Sequence, residues 1–177
     1  MSCRTLRIKN IFAISDILRN FAKNCQRNTY KKTYMSNQNL SPKEAAAKLS
    51  KDGKSVVTFI IKQQYFDEII AGIKVKEYRD LKPTTLKKLV KLDKNGDLLL
   101  DENENAIPIQ YDAMLLFVGY GKVRDSALVE VTGAKEELFH DKNGEEVYEI
   151  LEDGSRFYPS QIVYDLGRVL SKEVHKK

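Results

Sequence analysis

The sequence predicts an α+β domain built around a small, partly closed mixed barrel with peripheral helices and two β-hairpin insertions. Three observations predict it. Several short segments alternate apolar and polar residues or run apolar for strand length, helical periodicity is confined to a few short stretches, and strands and helices do not alternate regularly. At 177 residues the chain is long enough to bury a sizeable core and short enough to be essentially one domain.

The net charge of +5 is unevenly distributed. Residues 1–34 carry eight Lys or Arg and one acid, leaving 22 bases against 24 acids in the remainder, about −2. The body is therefore not a basic domain, and a nucleic-acid site in it has to be a local patch. The basic leader reads as an amphipathic transit peptide, a disordered basic tail or an over-extended gene start ahead of Met35. Both cysteines, Cys3 and Cys25, fall in it, so the body offers no thiol for a disulfide, a nucleophile or a zinc cluster. The two histidines, His140 and His175, are isolated, and no metal or other cofactor is expected. No apolar run approaches the roughly 20 residues needed to span a bilayer, so a cytoplasmic protein is expected.

Residues 35–54 read as an N-terminal helical segment. Ser41, Pro42 and Glu44 form a capping box with proline at the first helical position, predicting a helix over Lys43 to Lys51 that stops at Gly53. The domain proper occupies residues 55–177. SVVTFIIK, Ser55 to Lys62, is rich in β-branched residues and predicts a buried strand. The period then switches in QQYFDEIIAG: Tyr65, Phe66, Ile69 and Ile70 share a helical face, and Gly72 sits where a left-handed cap belongs. A strand over Val75 to Arg79 follows, and TTLKKLVKL predicts a further helical turn or two.

LDKNGDLLLDENENAIPI and HDKNGEEVYEILEDGSRFYP each open with Asp-Lys-Asn-Gly and place an acid-rich second turn a few residues later. Asn95-Gly96 and Asn143-Gly144 predict type I′ hairpin turns. A calcium loop on Asp93, Asn95 and Asp97 is rejected, because the glycine comes at the fourth position and no glutamate closes the loop at the twelfth. YDAMLLFVGY, SALVEVTGA and QIVYDLGRVLSKE supply the remaining strands.

The chemistry concentrates in AGIKVKEYRD, Ala71 to Asp80. In a strand, Val75, Glu77 and Arg79 share one face and Lys74, Lys76 and Tyr78 the other. If Val75 marks the inner side, Glu77 and Arg79 point into the interior or a cleft, where they must pair or meet a ligand. If Tyr78 marks it, they form an exposed ion pair contributing well under about 1 kcal/mol. Spacing alone favours the exposed pair.

The order strand, short helix, then Gly72, Lys74, Glu77 and Arg79 resembles the ASCH family (activating-signal-cointegrator homology), whose mark is Gly-x-Lys-x-x-Glu-x-Arg after a short helix. The likeness spans about Val56 to Leu170 and includes DLKP, VGYGKVRDSALVEVTG and VYDLGRVL. The resemblance implies a PUA-like β-barrel with a cleft beside the motif that binds RNA or a nucleotide-like ligand. Lys62, Lys74, Lys76, Glu77, Arg79 and the loop aromatic Tyr120 are then the expected binding residues. Lys74 suits a phosphate, Arg79 a phosphate or base edge, Glu77 an exocyclic amine and Tyr120 a stacked base. Some small relatives are amidohydrolases acting on acetylated cytidine through the motif lysine, a threonine three positions on and a separate glutamate. Here Lys74 matches, Glu77 stands at the threonine position, and Glu130 is a candidate for the glutamate. A third reading makes the acidic hairpins contacts for another protein.

Overall fold

A computed structural model describes residues 40–175 except Leu151 and Ser155; the basic leader lies outside the described residues. Helix α1 spans Pro42–Lys51, with the expected capping box: the Ser41 hydroxyl accepts from the Glu44 amide and the Glu44 carboxylate accepts from the Ser41 amide. Strand β1 is Val56–Ile61, helix α2 is Gln63–Ile70, strand β2 is Lys76–Asp80 and the single-turn helix α3 is Leu86–Leu89. Strands β3, Ala113–Val118, β4, Ser126–Leu138, and β7, Ser160–Glu173, complete the main sheet, with a short ribbon of β5, Glu149–Ile150, and β6, Arg156–Phe157, between the last two.

The five-stranded sheet has the order β1-β3-β4-β7-β2, parallel between β1 and β3 and antiparallel elsewhere. The fold is thus α+β with a mixed sheet. Strand pairing does not close it into a barrel: β1 and β2 are its two edges. One face carries the main core, from Val57, Phe59 and Ile61 through Met114, Leu116, Val129, Ile162 and Tyr164, covered by Phe66 and Ile69 of α2 and Leu89 of α3. The other face, with Ala113, Leu115 and Leu128 buried, is where α1 packs through Ala45, Ala46 and Leu49. Burial on both faces explains why β3 reads as an unbroken apolar run. Register shifts in the β4–β7 ladder between Leu128 and Gly133 bend this long pair.

The hairpin turns correct one expectation. Gly96 and Gly144 have positive φ, but Asn95 and Asn143 do not, which rules out type I′. Instead the Gly96 amide bonds back to the Asp93 carbonyl and Asp93 pairs with Asp97, a three-residue loop closed by a left-handed glycine. Asp93 Oδ1 accepts from the Asn95 and Asp97 amides at 2.8 and 2.9 Å. Asp141 repeats the pattern on Asn143 and Glu145 at 2.7 and 3.0 Å, and Asp101 on Asn103 and Asn105 at 2.8 and 3.0 Å. Amide hydrogen bonds, chiefly from Asp97, Asn105 and Glu145, hold these three aspartates below the ordinary carboxylate range. The loop chemistry is thus an aspartate cradling its own turn.

In the third loop the left-handed position is filled by Glu104, at φ +63°. A side chain there is strained, and glycine adopts the same conformation freely. Glu104→Gly should therefore stabilise the protein by about 0.5–1 kcal/mol after the entropy cost of glycine, raising the thermal midpoint by roughly 1–4 °C. Thermal unfolding followed by circular dichroism checks this.

Candidate functional site

The motif is shaped by how α2 ends. Gly72, at φ +73°, turns the chain left-handed, and the amides of Ile73 and Lys74 return to the Glu68 carbonyl. The chain then enters β2 beside β7, with the Leu166 amide on the Val75 carbonyl. The register sets Glu77 opposite Tyr164 and Arg79 opposite Ile162. Both partners belong to the main core face, so Glu77 and Arg79 point inward. Val75 precedes the strand and is 57% exposed, so it does not mark the inner side; the ladder with β7 does.

Glu77, only 5% exposed, is bound on both oxygens: Lys74 Nζ donates to Oε2 at 2.8 Å and Arg79 Nη2 to Oε1 at 2.6 Å. A carboxylate so deeply buried is tolerable only when paired in this way. Lys74 also donates to its neighbour Lys76's carbonyl and lies over the rings of Tyr65 and Tyr78, at 5.6 and 5.2 Å from their centroids. Arg79 reaches the opposite edge of the sheet, where its guanidinium donates to the Ile60 carbonyl of β1 at 3.4 Å and stacks on Phe59 at 4.2 Å. Burial pulls the Arg79 pKa down, opposed by Glu77.

Lys88 approaches the same place from α3. Its Nζ donates to the Thr58 carbonyl and sits 4.3 Å from the Phe59 centroid. Its pKa is lowered first by burial and then by the Arg79 charge. Tyr111 fixes this turn by donating to the Lys88 carbonyl at 2.8 Å. Beneath lies Tyr164, tilted against Phe59 and Tyr111 at centroid distances of 6.3 and 6.2 Å. Burial pushes the Tyr164 hydroxyl well above the usual tyrosine range. Among the described residues, that hydroxyl and Arg79 Nε are buried without a hydrogen-bond partner.

The structure therefore gathers Lys74, Glu77 and Arg79 into one cluster. Lys76 contributes its carbonyl, while its side chain lies on the other side of β2 with Tyr78, across from Asp165. Lys62 is exposed at the start of α2, and Tyr120 is 88% exposed in the loop after β3. The Gly119 amide bonds to the Ile61 carbonyl at 3.4 Å, on the β3 side of β1, whereas Arg79 reaches the Ile60 carbonyl on the other edge, so Lys62 and Tyr120 are not brought into the cluster. Glu130 is not brought to Lys74. It pairs with Ala113 in register, on the α1 side of the sheet, and its carboxylate accepts from Arg168 Nε at 3.2 Å and the Arg168 amide at 3.3 Å. Gly167 makes room for this, since a Cβ there would lie 2.7 Å from Glu130 Oε2.

Sequence reasoning missed Phe59, Lys88, Tyr65 and Tyr164. Each sits in a segment assigned to an element, but nothing local distinguishes it from an ordinary core or surface residue. Among the described residues no group of three or more His, Cys, Asp or Glu could hold a metal ion, and no helix is long and apolar enough to cross a membrane. Comparison with protein-family models, curated proteins and solved structures gives no match for this chain.

Neutralising the carboxylate should expose how much depends on it. Glu77→Gln leaves Lys74 and Arg79 without a counter-charge, and we expect a loss of about 2–4 kcal/mol in urea unfolding, less than for a fully buried pair because both cations keep some solvent. Glu137→Gln, which breaks the exposed pair with Lys135 at 2.6 Å, should cost under about 1 kcal/mol.

Proposed function

We propose that this chain is an RNA- or nucleotide-binding module of the ASCH type, cytoplasmic, with its ligand site at the gap between β1 and β2. In this reading the sheet is a PUA-like barrel opened along that gap, and the motif lines the opening. One observation carries the proposal: a buried glutamate fixes two cations at a strand edge, beside a third cation and among aromatic rings. Preorganised cations with flat apolar surfaces nearby suit a ligand that combines phosphate and base. Each Glu77 oxygen already accepts one hydrogen bond and retains a second lone pair, which an exocyclic amine could use. In this reading Lys62 and the exposed ring of Tyr120 would extend contact to a neighbouring nucleotide.

The hydrolase alternative has two features against it. Lys74 donates to Glu77 and to the Lys76 carbonyl, and a lysine so engaged presents no lone pair to a substrate carbonyl. Glu130 lies on the opposite face, bound to Arg168.

Equilibrium binding of short RNA oligonucleotides and a panel of modified nucleosides tests the reading. Arg79→Ala should weaken binding by about 1–3 kcal/mol. Turnover of acetylated cytidine by the unmodified protein, lost in Lys74→Ala, would replace the binding reading with the hydrolytic one. Failure of every ligand to bind would remove both.

A further inference from the structure

The motif alone suggests Lys74 as the phosphate ligand. Its surroundings favour a different residue. Three cations, Lys74, Arg79 and Lys88, converge on the gap between β1 and β2 around one carboxylate. Lys74 is taken up by Glu77 at 2.8 Å and by the Lys76 carbonyl. Among the described residues Lys88 meets no carboxylate: the acceptor of its ammonium is a neutral carbonyl, that of Thr58. Arg79 shares Glu77 with Lys74, and its Nε has no acceptor among the described residues. The Lys88 ammonium and the Arg79 guanidinium lie 4.3 and 4.2 Å from the centre of the same Phe59 ring, so the two charges are at most about 8.5 Å apart and repel.

An excess of positive charge, partly withdrawn from water, is costly unless an anion meets it. The charge count singles out the kind of anion. Glu77 offsets one of the three cations, and Asp80, itself paired with Lys82 at 3.2 Å, acts on Arg79 from beyond ion-pair distance, so close to two positive charges remain, which a phosphate monoester, at about −1.5 to −2 near pH 7, neutralises better than a carboxylate would. The donor inventory agrees, since Lys88 has N–H groups to spare and phosphate oxygens accept several each. The lowered Lys88 pKa has Arg79 as its electrostatic cause, the repulsion that a bound dianion would relieve.

We infer that Lys88 and Arg79, flanking Phe59, form the phosphoryl subsite of this site, and that Lys74 is a positioning residue that holds Glu77. The inference rests on the proposed function only for the rest of the ligand; the anion subsite stands on Lys88, Arg79 and Phe59 themselves. It makes phosphorylated ligands, rather than free nucleosides, the preferred class.

Isothermal titration of the full chain with inorganic phosphate, cytidine, cytidine 5′-monophosphate and the cytidine dinucleotide tests it. Inorganic phosphate should bind, and the monophosphate should bind about tenfold or more tighter than cytidine, as expected for charge-assisted hydrogen bonds, with the dinucleotide, whose phosphodiester carries a single charge, gaining less. The monophosphate presents a terminal phosphate and the dinucleotide an internal one, so comparing them tells which source the subsite takes. Lys88→Gln should collapse the ratio of monophosphate to cytidine affinity toward one and abolish phosphate binding; Lys88→Arg should retain most of both. An unchanged ratio in Lys88→Gln, or no phosphate binding by the unmodified protein, overturns the inference. If cytidine binds and phosphate adds nothing, the subsite falls while the binding function stands. If phosphate binds through Lys88 and no nucleoside does, the subsite stands and the nucleotide reading falls.

Discussion

Glu77 is one carboxylate shared by two cations, buried at the seam where the sheet fails to close. An unpaired strand edge leaves backbone carbonyls without partners, and edge strands are usually blunted or covered. Here the covering is done by side chains. Arg79 crosses from β2 to the Ile60 carbonyl and Lys88 crosses from α3 to the Thr58 carbonyl, so two carbonyls along β1 gain charged donors in place of a neighbouring strand. Arg79 holds this position because Glu77 fixes its other end, and Glu77 tolerates burial because Lys74 completes the pairing. The seam, the motif and the aromatic floor are thus one arrangement. Substitution of any of the three charged residues should be felt at the other two.

Much of this fold was legible in the sequence because its signals are local. The Ser41–Glu44 capping box, the β-branched run of β1 and the glycine that ends α2 act within a few residues, and each is present. Strand identities were readable for the same reason. The direction of the motif was not. Period-two alternation says that Glu77 and Arg79 share a face, but the choice of face is made by β7, more than 80 residues later, where Tyr164 and Ile162 sit opposite them. Val75 invited the question and did not answer it, because it lies outside the ladder and is exposed. The convergence of Phe59, Lys88 and Tyr164 is likewise tertiary: no spacing in the chain foretells that a lysine on a single-turn helix will rest on a phenylalanine of β1.

The turns teach a related lesson. Asn-Gly is the strongest short-range sign of a type I′ hairpin, yet in both hairpins the aspartate two residues before the asparagine decides the outcome by accepting two backbone amides. Competition between side chain and backbone for the same donors shifts the turn to a longer form, with only the glycine left-handed. The same rule extends to Asp101, in a loop that carries no glycine.

In the proposed function Glu77 and Arg79 act as one unit, whose pairing both seals the seam and presents the cations. A double-mutant cycle on stability, using Glu77→Gln, Arg79→Met and the double variant in urea unfolding, measures that pairing directly. We expect a coupling energy of about 1–3 kcal/mol, with the double variant more stable than the two single losses would sum to. Additive losses, with coupling below about 0.5 kcal/mol, would mean that the two side chains are independent and that the seam is held by something else.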